Sequence, residues 1–543
     1  MGKQLHEKKR HRANNAGGVP VDSYQSALAL ANIMYELMPK SSGKQTEAIT
    51  ELNVHHIYFL YLWLTGHLSE INHSFELPDL ILVSGSEDCA PHRLRRIRES
   101  GISWVEYALP YNKGKKTVHL WQPMPDAMNA IFSYWLTNHS HDLRMNLSQK
   151  KYFFWKSKVR KLRTPDDLRC QFVLRKDIFY RYFELMASGD PYLPFPAQQL
   201  FAVKKIHHHS ALSYQRMTSD QIRYEVFSAQ NRYLGRLMSE INRQEMKPYC
   251  DVRLPSTQSL KSILSAMEAR PPYLKKEGAI VSFNFEMTEG ARTYIPMEPI
   301  YIGSTRTIEN AQLSCFFDHL RQQLKLQPEK SASPEALRAY YNARTYELAL
   351  LFVLLTGARP THHISIEREM CFGLQRALIR DKGRYRLINL PIYLQQAIQA
   401  YQALQARVIN TLRPHDTSKM HILWYLIDED NKARPLIAKS LRLFMHEQWQ
   451  RCFTTKSGSP VNTVVPYQLR HSFAQHALMV TRPRLARQQI DLLMGHSELG
   501  EHLGNDYHFK PCDKKLLDHL NHWPSRLHLS PIEQSIFQKE DDL

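Results

Sequence analysis

Residues 465–509 read "VPYQLRHSFAQHALMVTRPRLARQQIDLLMGHSELGEHLGNDYHF", and this stretch decides the character of the C-terminal part of the chain. Leu469, Phe473, Ala477 and Val480 recur at spacings of four, four and three, so the segment opens as a helix with one apolar face. Arg470 and His471 stand beside that stripe, where an unpaired charge is costly. Packing alone therefore does not account for them. A second helical stretch ends in Leu492-Leu493-Met494 and is followed by Gly495-His496. Tyr507 comes further on, ahead of His508-Phe509 and the helix-breaking Pro511.

Two more basic clusters lie upstream. In "ALLFVLLTGARPTHHISI" (349–366) an apolar helix is broken by Gly357, and Arg359 opens the next element. A glycine turn after a buried helix can deliver one side chain into a cleft, although an arginine at a helix end is more often surface. In "RDKGRYRLINLP" (380–391) Lys382-Gly383 reads as a β-turn, Arg384–Leu390 as the returning strand and Pro391 as its end. A hairpin tip carrying Lys382, with Arg384 beside it, can enter a DNA groove; exposed lysines favour such turns in any case.

Taken together, "LLTGAR", the hairpin lysine, "LRHSFA", "LLMGHS" and a late tyrosine resemble the tyrosine recombinase (phage integrase) family over residues 335–512, about a third of the chain. The resemblance implies Arg359 and Arg470 as the catalytic arginines, Lys382 as the hairpin lysine, His496 as the late histidine and Tyr507 as the nucleophile. It also implies a supporting role for His471, by packing and hydrogen bonding. Two departures stand out: Tyr467 occupies the place of a histidine three residues before the second arginine, and the interval from His496 to Tyr507 is longer than usual. The chemistry makes these residue types intelligible. Phenol attack on a phosphodiester builds negative charge on nonbridging oxygens, which two arginines can clamp without a metal. A lysine can protonate the departing 5′-hydroxyl, and histidines can take up the phenol proton or bond the phosphate. The phosphotyrosine product conserves bond energy, so no ATP and no cofactor are implied.

Composition agrees with a polyanionic partner. The 543 residues carry 71 Lys+Arg against 52 Asp+Glu, a net charge of +19. Each neutralised phosphate releases condensed counterions, so double-stranded DNA is the expected partner. Seven scattered cysteines without a CxxC pair fit a reducing cytoplasm, near the nucleoid in a bacterium, and give no zinc signal. The longest apolar runs are far too short to span a bilayer. "IHHHSAL" with His207, His208 and His209 lacks partner ligands at fixed offsets, so no metal is expected.

The expected fold class is mainly α with small β-hairpin and sheet elements, in a multi-domain chain. A basic flexible tail covers 1–22, N-terminal domain(s) cover 23–215, a middle DNA-binding region 216–330, the recombinase catalytic domain 335–527 and a tail 528–543. Pro and Ser cluster at 326–334, where Ser333 or Ser331 can cap a helix beginning near Pro334. "KKYFFWKSKVRKLR" (150–163) interleaves aromatic rings with Lys151, Lys156, Lys158, Arg160 and Lys161. It reads either as a DNA-binding face, rings stacking while cations hold phosphates, or as a solvated amphipathic helix. "YLWLTGHLSEI", "NKGKKTVHLWQP", "TPDDLRCQF" and "HHHSALSY" echo the C-terminal clusters in the same order, which reads either as coincidence among short LTG- and LR-type strings or as a degenerate, inactive copy of the catalytic fold over about 50–215 that grips DNA or dimerises.

The function expected from the resemblance is site-specific DNA recombination for integration or excision of a mobile element, by a tetramer on paired sites with accessory DNA-bending or recombinase proteins. A catalytically silent DNA-binding accessory protein of the same fold is the alternative, supported by Tyr467 and the long interval before Tyr507. A telomere resolvase or type IB topoisomerase shares the chemistry, but "LRHSFA" with "LLMGHS" is the integrase form.

Overall fold

The computed structural model describes residues 51–83, 89–99, 102–113, 116–138, 144–159, 176–201, 214–241, 284–288, 291–295, 301–304, 306–324, 333–360, 366–381, 384–416, 418–453, 463–495 and 510–529, with isolated positions elsewhere. It is mostly helical with small sheets. No described helix is long and apolar enough to cross a membrane. Two compact units emerge: one of residues 1–206 and 217–302, the other of residues 207–216 and 303–543. The second thus takes in 207–216 and 303–334 in addition to the stretch 335–527.

In the first unit, the apolar helix α1 (Glu51–Leu64) ends at Gly66, whose φ of 79° is left-handed. Strands β1 (Ile81–Val83), β2 (Arg93–Glu99), β3 (Ile102–Lys113) and β4 (Lys116–Pro123) then form one sheet in sequence order. β1 and β2 are parallel, whereas β2–β3 and β3–β4 are antiparallel, the last pair closing at Lys113↔Lys116. Helices α2 (Asp126–Asn138), α3 (Leu147–Val159), α4 (Tyr182–Gly189) and α5 (Ser219–Ile241) follow. α5 lays Arg223 on the sheet, where Glu106 accepts from Arg95 Nε at 2.8 Å and from Arg223 Nη2 at 2.6 Å. All three side chains are at most 2 % exposed, and the Arg95 guanidinium covers the Trp121 ring at 4.6 Å.

The second unit is built around α7 (Pro334–Thr356), which follows α6 (Asn310–Gln323). Ser333 caps α7, its hydroxyl accepting from the Ala336 amide at 3.2 Å with Pro334 in the first turn, as the sequence leads one to expect. Every residue from Glu347 to Thr356 is buried, so the last three turns form the axis of the core. A buried hydrogen-bonded set crosses to α8 (Ile392–Leu412): Tyr401 donates to Tyr341 at 2.8 Å, and Gln405 Nε2 donates to Tyr341 at 3.1 Å. Between α7 and α8 lies a three-stranded sheet of β5 (Cys371–Phe372), β6 (Arg376–Asp381) and β7 (Arg384–Asn389). β6 and β7 close at Asp381↔Arg384, the hairpin the sequence predicts; its tip, Lys382-Gly383, is outside the described residues. α9 (Ala438–Phe453), α10 (Pro466–Met479), α11 (Arg487–Met494) and α12 (Lys510–Arg526) complete the unit.

Each unit therefore contains a helix ended by a left-handed glycine, an antiparallel hairpin and then a helix. Of the remaining echoing strings, 164–172 and residues 207–213 lie outside the described residues, whereas Tyr214, the end of the last string, belongs to the second unit and not to the first, so the expected copy over about 50–215 is not one unit.

α12 docks through aromatic contacts. Trp523 Nε1 donates to the Leu354 carbonyl at 3.1 Å, and its ring stacks on His476 of α10 with centroids 3.7 Å apart. Burial, with His519, Arg526 and His522 nearby, holds His476 well below the ordinary histidine pKa. His519 is pushed down to about 4, chiefly by burial. Both groups are thus neutral in the fold, and the unfolded chain binds more protons once pH drops below about 6.5. Stability is expected to be level above pH 6.5 and to fall as pH is lowered from there toward 4, by about 3 kcal/mol for His519, with His476 adding to the loss. Urea denaturation at pH 7.5, 6 and 5 checks this; equal midpoints at all three would contradict it.

Candidate active site

α10 starts where the sequence places it. Pro466 takes the first turn, and the Gln468 side chain accepts from the Val465 amide at 2.8 Å. Leu469, Phe473 and Ala477 are buried on its apolar face. Gly357, left-handed at φ 65°, ends α7 against this face: a Cβ there would lie 2.4 Å from the Phe473 ring. Only glycine meets both demands, and the chain can then turn to present Arg359.

Arg470 is 0 % exposed. Its Nη1 donates to the Gly357 carbonyl at the end of α7, and its Nη2 donates to the Met494 carbonyl at the end of α11 at 2.5 Å. Helix C-termini carry orphan carbonyls and the negative end of the helix dipole, so two of them converging on one guanidinium account for a charge held so deep. Arg470 also bonds the Tyr214 hydroxyl.

Tyr467, His471 and Gln475, at successive i, i+4 positions, line another face of α10, with His471 buried and the other two half-buried. Residues 214–216 run along this edge. Gln475 Oε1 accepts from the Arg216 amide at 2.5 Å, and Gln475 Nε2 donates to the Arg216 carbonyl. Residues 303–308 also dock there: Ser304 N donates to the Gln215 carbonyl at 2.6 Å, and Ile308 N donates to Ser472 Oγ at 3.1 Å. The Tyr214 and Tyr467 hydroxyls are 3.4 Å apart, and the Tyr214 ring tilts against His471 with centroids 4.5 Å apart.

Electrostatics divide these groups. Burial raises Tyr214, and its bond with Tyr467 raises it further. Burial also acts upward on Tyr467, but the bond from Tyr214, the charges of Arg470 and Arg359 and a hydrogen bond from Arg359 outweigh it and leave this phenol more acidic than usual. His471 is pushed down to about 4 by burial, then by Arg306 and Arg470. It is neutral at physiological pH, and its Nε2 has no hydrogen-bond partner among the described residues.

The structure thus brings together Arg359, Arg470, Tyr467 and His471. Lys382, His496 and Tyr507 lie outside the described residues, as do Arg160 and Lys161. Arg384 lies on β7 next to the hairpin tip. Tyr214, Ser304, Arg306, Gln475 and Arg386 belong to the site's surroundings without having been singled out in the sequence. Arg386 donates to the Leu493 carbonyl at 3.0 Å and packs on Gly495, tying the hairpin to the end of α11 just before His496. The spacing of 467, 471 and 475 was the available signal for one face; nothing local to Tyr214 indicates what it meets.

On α3, Lys151 is exposed, as are Tyr152 and Trp155, whereas Phe153 is buried and Phe154 stacks toward His73. The stretch is therefore divided between core and surface. Lys156 and Lys158 continue the same helix.

No family model matches the chain, and neither the curated proteins nor the solved structures contain a significant match.

Proposed function

We propose that the protein is a DNA strand transferase of the tyrosine recombinase type, acting through a 3′-phosphotyrosine intermediate. The observation that carries this reading is the cluster of Arg359, Arg470, Tyr467 and His471 at the junction of two helix ends, together with the motif order of the sequence. Arg359 and Arg470 stabilise charge on the phosphate, Tyr467 bonds a nonbridging oxygen, and His471 supports the site by packing on Tyr467 and Tyr214. Tyr507 attacks phosphorus, the bond to the 5′-oxygen breaks, and Lys382 passes a proton to that oxygen. His496 accepts the phenol proton or bonds the phosphate. Integration or excision of a mobile element by a tetramer on paired sites, in the cytoplasm, is the setting that fits this chemistry.

A second reading has its own observation. Both Nη atoms of Arg470 are engaged with main-chain carbonyls and the side chain is fully buried, as suits a protein that keeps the fold and binds DNA without cutting it. A nicked duplex, which traps a cleaved strand, separates the two on a denaturing gel. A covalent protein–DNA band supports the transferase; its absence over all plausible sites supports the silent DNA-binding protein.

The exposed part of α3 has a DNA-binding role in either case. Replacing Lys151 and Trp155 together by alanine is expected to weaken duplex binding about tenfold and to lessen the salt dependence by about one counterion. Melting should be unchanged, because both side chains are exposed. Fluorescence anisotropy over a salt series checks this, and unaltered affinity would return α3 to the status of a solvated helix.

A further inference from the structure

Tyr214 comes from the far side of the chain, more than 250 residues before Tyr467, yet it is built into the site. It is 5 % exposed, its ring rests on His471, and its hydroxyl meets Tyr467 and bonds Arg470. Its neighbours hold it firmly. Arg216 is joined to Gln475 through both amide and carbonyl, and its Nη1 donates to the Thr307 carbonyl at 2.6 Å. Gly303 has no room for a side chain, since a Cβ would lie 2.0 Å from the Gln215 oxygen. A tyrosine tied down on both sides cannot swing away cheaply when a phosphate arrives, so it belongs to the working site.

We propose that Tyr214 is a positioning residue for phosphoryl transfer: its hydroxyl bridges Tyr467 and Arg470 and fixes the Tyr467 O–H as a donor to the scissile phosphate. The role rests on the strand-transferase reading above. The chemistry is that of a phenol with one proton and two lone pairs. The two hydroxyls, 3.4 Å apart, can place the shared proton on either oxygen; with Tyr214 as the donor and Arg359 donating as well, the Tyr467 proton is left for an outside acceptor. Two phenols in series thereby fill the position where the resemblance leads one to expect a histidine. Among the described residues, the titratable and charged groups facing Tyr467 are Tyr214, Arg359, Arg470 and His471, with Arg306 acting on His471. The direction of the Tyr467 shift agrees with this arrangement: a donated bond and two cations favour its phenolate.

The test compares Tyr214→Phe, Tyr467→Phe and the double variant of the full chain. Phenylalanine keeps the ring on His471, so each variant should stay folded, losing only about 1–2 kcal/mol for the missing hydroxyl bonds. On a nicked duplex, Tyr214→Phe is expected to form covalent adduct about tenfold more slowly, with the alkaline limb of its pH profile moved upward. In the Tyr467→Phe background the same substitution should have no further effect. In DNA-free protein, carbon-13 labelling of tyrosine rings should show Tyr467, assigned by its loss in Tyr467→Phe, titrating at higher pH when Tyr214 is replaced. Unchanged rates together with an unchanged Tyr467 titration would overturn the proposal. So would faster adduct formation, which would make Tyr214 a plug, or an adduct carried on Tyr214 itself. If the unmutated protein forms no adduct, the transferase reading and this role fall together, while the titration separately decides whether Tyr214 tunes Tyr467.

Discussion

Arg470→Ala is expected to lower the stability of the second unit by about 3–5 kcal/mol and to abolish strand cleavage. The guanidinium is buried and holds the ends of α7 and α11 through the Gly357 and Met494 carbonyls. Alanine leaves both carbonyls without this donor, at about 1–3 kcal/mol for each buried group that stays unsatisfied, and opens a cavity beside them. Lysine is not an adequate substitute, because one ammonium cannot reproduce a planar fork between two helix ends. Arg470→Lys should therefore recover part of the stability and little of the cleavage. Chemical denaturation gives the first quantity and the nicked-duplex assay the second. An Arg470→Ala protein as stable as the original would mean that the two helix ends do not depend on this side chain.

The second large effect is expected in the other unit. Glu106→Gln should cost about 3–5 kcal/mol, although the two side chains have nearly the same shape. Glu106 is the carboxylate that faces both Arg95 and Arg223, and all three groups are out of water. Removing the negative charge leaves two buried guanidinium groups close together without the carboxylate that faces both. Attraction is then exchanged for repulsion in a medium that screens poorly. Replacing Glu106 by leucine together with Arg95→Met and Arg223→Met should recover much of the loss, since a well-packed apolar set often matches a buried ionic one. A Glu106→Gln variant within about 1 kcal/mol of the parent would show that the cluster is solvated in solution.

How far these features were legible depends on how local their causes are. The cap at Ser333-Pro334, the left-handed Gly357 and the β6–β7 hairpin each rest on a few adjacent residues, so the sequence shows them directly. The periodicity of 469, 473 and 477 likewise identifies the buried face of α10. Arg470 stood out as a charge beside an apolar stripe, but its reason for being there did not. The two carbonyls that hold it belong to helices ending at residues 356 and 494, and no periodicity reveals that those ends meet. Tyr214 and residues 303–308 were harder still. Their partners on α10 lie some 160 to 260 residues away, and the groups that pair them, Gln475 and Ser472, are ordinary polar residues in the sequence. The expected divide near 330 followed a Pro/Ser-rich stretch, whereas the observed units are drawn by contacts that cross it. The division of α3 into core and surface rings could not be read from "KKYFFWKSKVRKLR", because aromatic residues suit both.

The most direct measurement of the central claim is the site of covalent attachment. The protein is incubated with a nicked duplex carrying its recombination site, the adduct is digested, and the nucleotide-bearing peptide is sequenced by mass spectrometry. The expected result is a 3′-phosphotyrosyl linkage at Tyr507 that disappears in Tyr507→Phe, while that variant still binds DNA with unchanged affinity. A linkage at any other residue, or an adduct that persists in Tyr507→Phe, would contradict it.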